Sequence, residues 1–524
     1  MSALRWRARA AVFAIALVVP ALLPCTVHAQ GGVPLVRFTV SGFEVSGDNP
    51  LSEAETQAIL KEFAGEHSGL EGLQAGADEL EAELFKRGYT FHRVVLPPQR
   101  ALGGVIRLEV VAFKVGRVSV SGNKFFTEEN ILRSVPALQP DGAPNTTELA
   151  RQIDFANEHG SKNVSMKVTD SEQIDRLDVD LTVADADPVQ VYLTGSNTGS
   201  AATGRLRTGV GFQHNNLTGH DDGLTVTYTT SPDHFEEVFQ GGLNYRLPFY
   251  GKETSLSVFG TYSDVDSGTV ADIFEVSGKG QFWGVRLEHK LPKKGSYSHK
   301  VTLNFDDKFY DNDVDFTGIP LGVQVRSRPV GINYTAAYER PKYSLNLSFD
   351  YAVNWETGAD NNDLQYAASR APATSSWDVV RTTASVDYRF DNGWALRLTG
   401  SAQVTDDSLI AGEQFGIGGA TSVRGFEERE EGGDQGWSGS FEVWSPTLLD
   451  SLQVIGFVDH GYRRLEDPQP GESKEESLTS AGVGLRWTYA QSLSVSLDYA
   501  EALDDAGSTK KGDHFLHGNV LYRF

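Results

Sequence analysis

The segment Phe415 to Arg429, FGIGGATSVRGFEER, sets Arg424 between a run of glycines and a cluster of acids. It is too glycine-rich to hold a helix and too long to be a tight turn. An arginine is suited to one chemistry above others, the two-pronged grip of a planar guanidinium on a carboxylate. Other chemistries fail on spacing. Thr479-Ser480-Ala481-Gly482 has Leu478 where a hydrolase nucleophile elbow needs glycine, and strand rather than helix follows. Gly416-Ile417-Gly418-Gly419 lacks the Lys-Ser/Thr of a phosphate loop. Asp311, Asp313 and Asp315 begin like a calcium loop, but Phe316 stands where the turn needs glycine. The 12 histidines show no zinc spacing with carboxylates or thiols. No catalytic residue, metal or cofactor is expected, and the chain does not read as an enzyme.

The elements that must position Arg424 are strands. From Val189 to Phe524 the apolar period is two. Tyr343, Leu345, Leu347, Phe349, Tyr351 and Val353 alternate with Ser344, Asn346, Ser348, Asp350 and Ala352. Val483, Leu485, Trp487 and Tyr489 alternate with Gly482, Gly484, Arg486 and Thr488. Successive side chains point to opposite faces of a strand, so one face is apolar with aromatic ends and the other is polar. The pattern predicts roughly 16 antiparallel strands closed into a transmembrane barrel. They start near residues 189, 204, 222, 236, 253, 273, 297, 322, 341, 374, 393, 437, 452, 478, 492 and 512. Leu247-Pro248, Leu291-Pro292 and Ala490-Gln491 read as short periplasmic connections. Arg424 falls in the connection 406–436, a length that in a compact protein usually carries function.

The N-terminus sets the compartment. Arg5, Arg7 and Arg9 precede an apolar run, and Val27-His28-Ala29 is a small-residue cleavage site. Residues 1–29 therefore read as a secretory signal peptide. The only cysteine, Cys25, lies inside it behind Pro24, so the mature chain is expected to lack thiols. No later segment approaches the 18 apolar residues of a membrane helix. The net charge of -24 argues against nucleic acid as a partner. An exported chain with 54 glycines and 10% aromatics, read mostly as strand, points to the bacterial outer membrane.

Between signal and barrel lies an internal repeat. Val45-Ser46-Gly47-Asp48 opens VSGDNPLSEAETQAIL, and Val120-Ser121-Gly122-Asn123 opens VSGNKFFTEENILRSV. Each copy predicts strand, helix, helix, strand, strand. Ser52 with Glu55 has capping-box spacing, and Thr127 begins the matching helix. Leu73, Ala77, Leu80 and Leu84 recur at helical spacing in one copy, as do Leu149, Ile153 and Ala156 in the other.

This order resembles the POTRA modules of outer-membrane protein transport. The stretch Phe91 to Asn123, with Leu96-Pro97-Pro98-Gln99 at its turn, resembles the junction between the two modules of two-partner secretion transporters, the TpsB or hemolysin secretion/activation family. The resemblance implies a first POTRA domain at 30–112, a second at 113–188, and a barrel at 189–524 into which the loop 406–436 folds. Val423-Arg424-Gly425-Phe426 matches the family's loop motif. Phe457-Val458-Asp459-His460-Gly461 matches its barrel-wall motif, which makes Asp459 the implied partner of Arg424. The terminal strand, with Tyr522 and Phe524, resembles the signal read by the barrel assembly machinery. The implied function is a translocation pore in outer-membrane lipid. It takes a large β-rich exoprotein (TpsA-like), caught by its N-terminal segment, from periplasm to surface. Adhesin, cytolysin and contact-dependent toxin are all open as cargo. Two alternatives stand beside it: an outer-membrane assembly or insertion factor of the same superfamily, and a diffusion porin. One departure concerns closure. Many family members begin with a helix that plugs the barrel, whereas only GGVPL separates Gln30 from the first strand here.

Overall fold

The computed structural model describes residues 37–524 except 101–102, 201–202, 265–268, 271–273, 276–278, 313–314, 317–318, 321–322 and 450; the side chains of 269–270, 274–275, 312, 315–316 and 319–320 are also outside the description. The expected signal peptide, the stretch before the first strand and, of the three aspartates weighed as a calcium loop, Asp313 and the side chain of Asp315 lie outside the description. Two compact units divide the chain. One holds residues up to Leu80 with Val94–Val110, and the other holds Glu81–Arg93 with Val111–Phe524.

The first module builds a sheet in the order Gly42–Gly47, Val105–Ala112, His92–Val95. Its helices are Glu53–Leu60 and Glu71–Lys86. Ser52 and Glu55 close a reciprocal capping box, which satisfies amide donors left free at the helix start. Leu73, Ala77, Leu80 and Leu84 are buried. One pairing went unread: Arg37–Val40 runs antiparallel to Gly65–Ser68 as a separate small sheet. The Leu96-to-Gln99 turn ends in a side-chain clamp. Gln99 Nε2 donates to the Arg107 carbonyl at 2.6 Å and its Oε1 accepts from the Arg107 amide at 2.7 Å. The amide thus stands in for a strand residue.

The second module repeats the plan with Lys114–Ser121, Arg176–Asp185 and Lys162–Asp170. Its helices Glu128–Arg133 and Thr146–Ala156 are capped by Thr127 and Asn145. The repeated glycines share one cause. Gly47 and Gly122 have φ of 85° and 84°, and a β-carbon on either would press on the carbonyl of Val110 or Val183 in the neighbouring strand. Gly122→Ala is expected to destabilise the second module by about 1–3 kcal/mol, the usual cost of a strained backbone conformation. Amide hydrogen exchange at Val179 and Leu181 in the detergent-solubilised chain reads this directly. Unchanged protection there would refute it.

The barrel closes with sixteen antiparallel strands, from Val189–Ser196 to His514–Arg523. The eighth is broken at Arg328 into Val323–Ser327 and Pro329–Glu339. Most observed starts fall within a few residues of the expected ones. The largest shift is at the sixth strand, expected near 273 and observed as Gly280–Lys290. Phe274–Glu275, whose alternation extends the pattern, pairs instead with Thr269–Val270 in a small hairpin. Leu247 and Pro248 are not in a connection. They sit in the strand Gln240–Phe249 opposite Leu256 and Ser255. A proline near a strand end costs little of the ladder, so the turn is delayed to residues 250–253, where Gly251 and Glu253 have positive φ. Leu291-Pro292 lies in the connection before Tyr297–Asn312. Ala490 and Gln491 turn between two strands with φ of 48° and 63°. The last strand closes on the first only from Asn519↔Ser196 to Arg523↔Tyr192, whereas Leu452–Arg464 and Glu475–Tyr489 pair along nearly their full length. The Asn197 side chain extends this seam, accepting from the Gly518 amide at 2.7 Å and donating to the Leu516 carbonyl.

The second module is fixed to the barrel by a buried polar cluster. The Lys162 ammonium, fully enclosed, donates to Asp221 at 2.5 Å and to Asn130 Oδ1 at 2.8 Å. Asp221 also accepts from Asn130 Nδ2 at 2.9 Å and from the Tyr250 hydroxyl at 2.6 Å. Burial pulls the Lys162 ammonium down from its ordinary value, opposed by the Asp221 carboxylate.

Candidate functional site: the in-folded loop and its two anchors

The connection from Val404 to Gln435 folds into the barrel around a short hairpin, Phe415–Ile417 against Glu431–Gly433. Past Ile417 the glycines at 418, 419 and 425 take φ of 104°, 97° and 92°, which side-chain-bearing residues rarely adopt. Those bends turn the Val423–Phe426 tip onto the inner wall. Val423 and Phe426 are fully buried in a cluster with Ile417, Leu478 and Ala502. Gly461 makes room for that packing, since a β-carbon there would stand 2.8 Å from Val423 Cγ2 and 3.2 Å from Ile417 Cγ2.

Arg424 is 5% exposed and Asp459, on the strand Leu452–Arg464, is 0% exposed. The guanidinium grips the carboxylate with two bonds, Nε to Oδ2 at 2.6 Å and Nη2 to Oδ1 at 2.7 Å. The Arg424 amide adds a third, to Oδ2 at 3.1 Å. The ring of Phe457 lies under the guanidinium, 3.4 Å from its centroid to Cζ. The wall motif therefore supplies the carboxylate, the aromatic face and the gap left by glycine.

Sequence reasoning missed the rest of the cluster. Arg424 Nη1 is 2.9 Å from Glu442 and 3.8 Å from Asp498, and Nη2 donates to Ser440 at 2.9 Å. Asp498 is held in turn by Arg486 through bonds of 2.7 and 2.9 Å. The Gly425 amide donates to His517 Nε2 at 3.0 Å. One arginine thus faces three carboxylates on three strands. The available signal was charge on the lumen face: Glu442, Arg486 and Asp498 all sit at polar positions of alternating strands.

A second anchor holds the loop nearer the outer mouth. Glu413 is almost fully buried and accepts from Lys308 at 3.0 Å, Arg381 at 3.2 Å, Ser327 at 2.9 Å and Tyr310 at 3.1 Å. Beside it, Leu409 and Ile410 pack with Tyr366, Ala373 and Trp377 of the neighbouring outer loop. Together they cover lumen-facing Phe282, Tyr310, Val325, Ala352 and Val379. Apolar residues on the inside of an aqueous channel are tolerated when something shields them from water. Here two in-folded loops do so.

The two remaining groups of expected residues lie elsewhere. Leu96, Pro97, Pro98 and Gln99 form the clamped turn of the first module. Tyr522 and Phe524 face outward at the seam, with their rings edge to face at 4.9 Å and the Phe524 amide donating to the Val191 carbonyl.

Comparison with known proteins places this geometry. A family model for haemolysin secretion/activation protein ShlB/FhaC/HecB matches residues 175–487, and one for the ShlB-type POTRA domain matches 38–112. The heme/hemopexin transporter protein HuxB of Haemophilus influenzae (strain 86-028NP) is 21% identical over 462 residues, 86% of this chain and 81% of its own. The outer membrane transporter CdiB of Escherichia coli is 24% identical over 465 residues, 86% of this chain and 76% of its own. The solved structure of CdiB from Escherichia coli shares the fold at a TM-score of 0.72 and 19% identity, covering 96% of this chain and 93% of that one. The chain belongs to the haemolysin secretion/activation protein family ShlB/FhaC/HecB and is an outer-membrane transporter of two-partner secretion, built from POTRA modules and a β-barrel.

Proposed function

We propose that this chain exports one large, β-rich exoprotein whose N-terminal segment is caught by the two periplasmic modules and threaded through the barrel as an extended chain. The observation that carries this reading is the family match over residues 175–487, a span that holds both the loop motif and the wall motif. The modules occupy residues 30–112 and 113–188, and the barrel 189–524 with the loop 406–436 as its gate. The modules offer sheet edges to which an extended segment adds as a further strand. Val423, Arg424, Gly425 and Phe426 dock on Phe457, Asp459 and Gly461 to hold the gate. The Leu96–Gln99 turn sets the start of the strand that follows it. Tyr522 and Phe524 hand the new chain to the assembly machinery and sit in lipid afterwards. Folding of the cargo outside the cell drives the passage. The family is one of transporters, and nothing in this reading asks the chain for catalysis.

The test is the culture fluid of a strain from which the gene is deleted. A single large secreted protein is expected to disappear, with the other outer-membrane proteins at normal abundance. Depletion of many barrel proteins at once would identify an assembly factor instead, and an unchanged secreted set would leave only a porin.

A further inference from the structure

Strand register gathers one class of side chain onto one sector of the lumen wall. Thr335 lies opposite Ser348, Ser348 opposite Thr383, Thr383 opposite Ser401, and Ser401 opposite Ser438. This is an unbroken row of hydroxyls across five strands. A second row follows two residues along: Asn346 opposite Ser385, Ser385 opposite Thr399, and Thr399 opposite Ser440. All are lumen-facing, because their neighbours Leu347, Val386 and Leu398 are exposed on the lipid side. The sector is uncharged, yet it is bordered by charge at both ends. Asp350 opposite Arg381 bounds it toward the outer mouth, and Asp387 opposite Arg397, then Arg397 opposite Glu442, bound it toward the periplasm.

Open space stands in front of these rows. A cavity of about 530 Å³ separates them from the loop, whose Ala420, Thr421, Ser422 and Arg424 form the facing side. On that side the buried Ser422 Oγ has no hydrogen-bond partner among the described residues. On the wall side the bonds between hydroxyls are neutral and exchangeable, such as Ser401 Oγ to Ser438 Oγ at 2.8 Å.

We propose that this neutral hydroxyl sector, across the gap from the Arg424 loop, is the wall along which the extended cargo chain slides. The inference rests on the secretion reading above and adds where the cargo runs. An extended polypeptide carries an amide donor and a carbonyl acceptor at every residue, and each needs a partner in a confined space. A hydroxyl can rotate to donate or accept, so it serves whichever backbone group is passing. A fixed charge would instead hold cargo residues of opposite sign and repel those of like sign. Elsewhere in the lumen charges are abundant, as in Arg286 with Asp306, and in the cavity itself Glu442, Arg486 and Asp498 stand outside the two rows. Neutrality across two adjacent rows is therefore a local property of this sector.

The experiment introduces single charges into the full chain in its own outer membrane. The cargo is the protein that leaves the culture fluid when the gene is deleted. Ser348→Asp, Thr383→Asp, Ser401→Asp and Thr383→Lys are compared with Thr225→Asp and Asn244→Asp. The latter two lie opposite each other on the third and fourth strands, across the barrel from the sector. Secreted cargo is measured per inserted barrel, so a variant that assembles poorly is corrected for. Each charge in the sector is expected to lower that ratio at least about fivefold, with both signs at Thr383 acting alike, while far-wall charges change it less than about twofold. Thr383→Ser should secrete normally. Equal losses from both walls, or normal secretion by the sector variants, would overturn the path while leaving secretion itself intact. If no protein leaves the medium on deletion, both readings fall.

Discussion

Replacing Arg424 by alanine is expected to leave the barrel in the membrane and reduce cargo secreted per barrel at least about tenfold, the ratio given by 1.4 kcal/mol of lost loop anchoring. The substitution strands Asp459 and Glu442 without their cation, while Asp498 keeps Arg486. Removing one partner of a fully buried pair costs roughly 3–5 kcal/mol. The neighbouring cavity can admit water to the stranded carboxylates, so the cost falls below that range. Ladder hydrogen bonds close the barrel without the loop, and insertion survives. Asp459→Ala is not the mirror image of this change, because Arg424 retains Glu442 at 2.9 Å. Its loss should be the smaller of the two. The double variant should be little worse than Arg424→Ala alone, since residues of one network are not additive. Secretion assays on all three decide the matter: single losses that multiply in the double variant would show that the two residues act independently.

Glu413→Ala should produce the opposite kind of defect, a leak. Glu413 collects Lys308, Arg381, Ser327 and Tyr310 from separate wall segments and ties them to the loop beside Leu409 and Ile410. Without it Lys308 and Arg381 lose the carboxylate that both of them bond, leaving Asp350 as a more weakly placed anion, and like charges at close range repel. Lys308 and Arg381 keep partial access to water, so the barrel itself tolerates the change. The seal does not. Ionic conductance of the purified protein in planar bilayers is expected to rise severalfold, by roughly the factor that 1 kcal/mol of lost closure gives. Glu413→Gln, which keeps an acceptor but not the charge, should fall between. Conductance equal to the unaltered protein would remove Glu413 from the closure of the outer mouth.

The sequence disclosed the parts of this molecule that repeat or alternate. Two copies of a glycine-ended strand revealed the modules because the same backbone strain demanded the same residue twice, at Gly47 and Gly122. Strands were legible because lipid on one side and water on the other enforce a period of two. The Arg424 and Asp459 positions were legible through two short motifs. Glu442, Asp498 and His517 were not, because only barrel register brings three strands to one guanidinium and a fourth to the Gly425 amide beside it. The outer seal was invisible for a related reason. Phe282 and Val379 each sit beside another large apolar residue, Trp283 and Val380, and so read as ordinary strand. Their meaning lies in being apolar on the wrong face, a fact that needs the covering loops to interpret. Pro248 misled because a proline marks a turn only where the ladder requires its missing amide.

The short seam between the first and last strands has a consequence for the order of folding. Every other barrel ladder joins strands adjacent in sequence, and each can form as a local hairpin at small loop-closure cost. The seam alone joins residues more than three hundred positions apart, as in Asn197 with Gly518. Contacts of such separation form late. Until they do, Val189–Ser196 and His514–Arg523 are both open edges whose amides and carbonyls have no partner, and hydrocarbon offers none. The nascent sheet therefore cannot complete itself strand by strand inside lipid. It has to reach the membrane with those two edges already shielded, and shed that cover in the same step that brings Asn519 to Ser196.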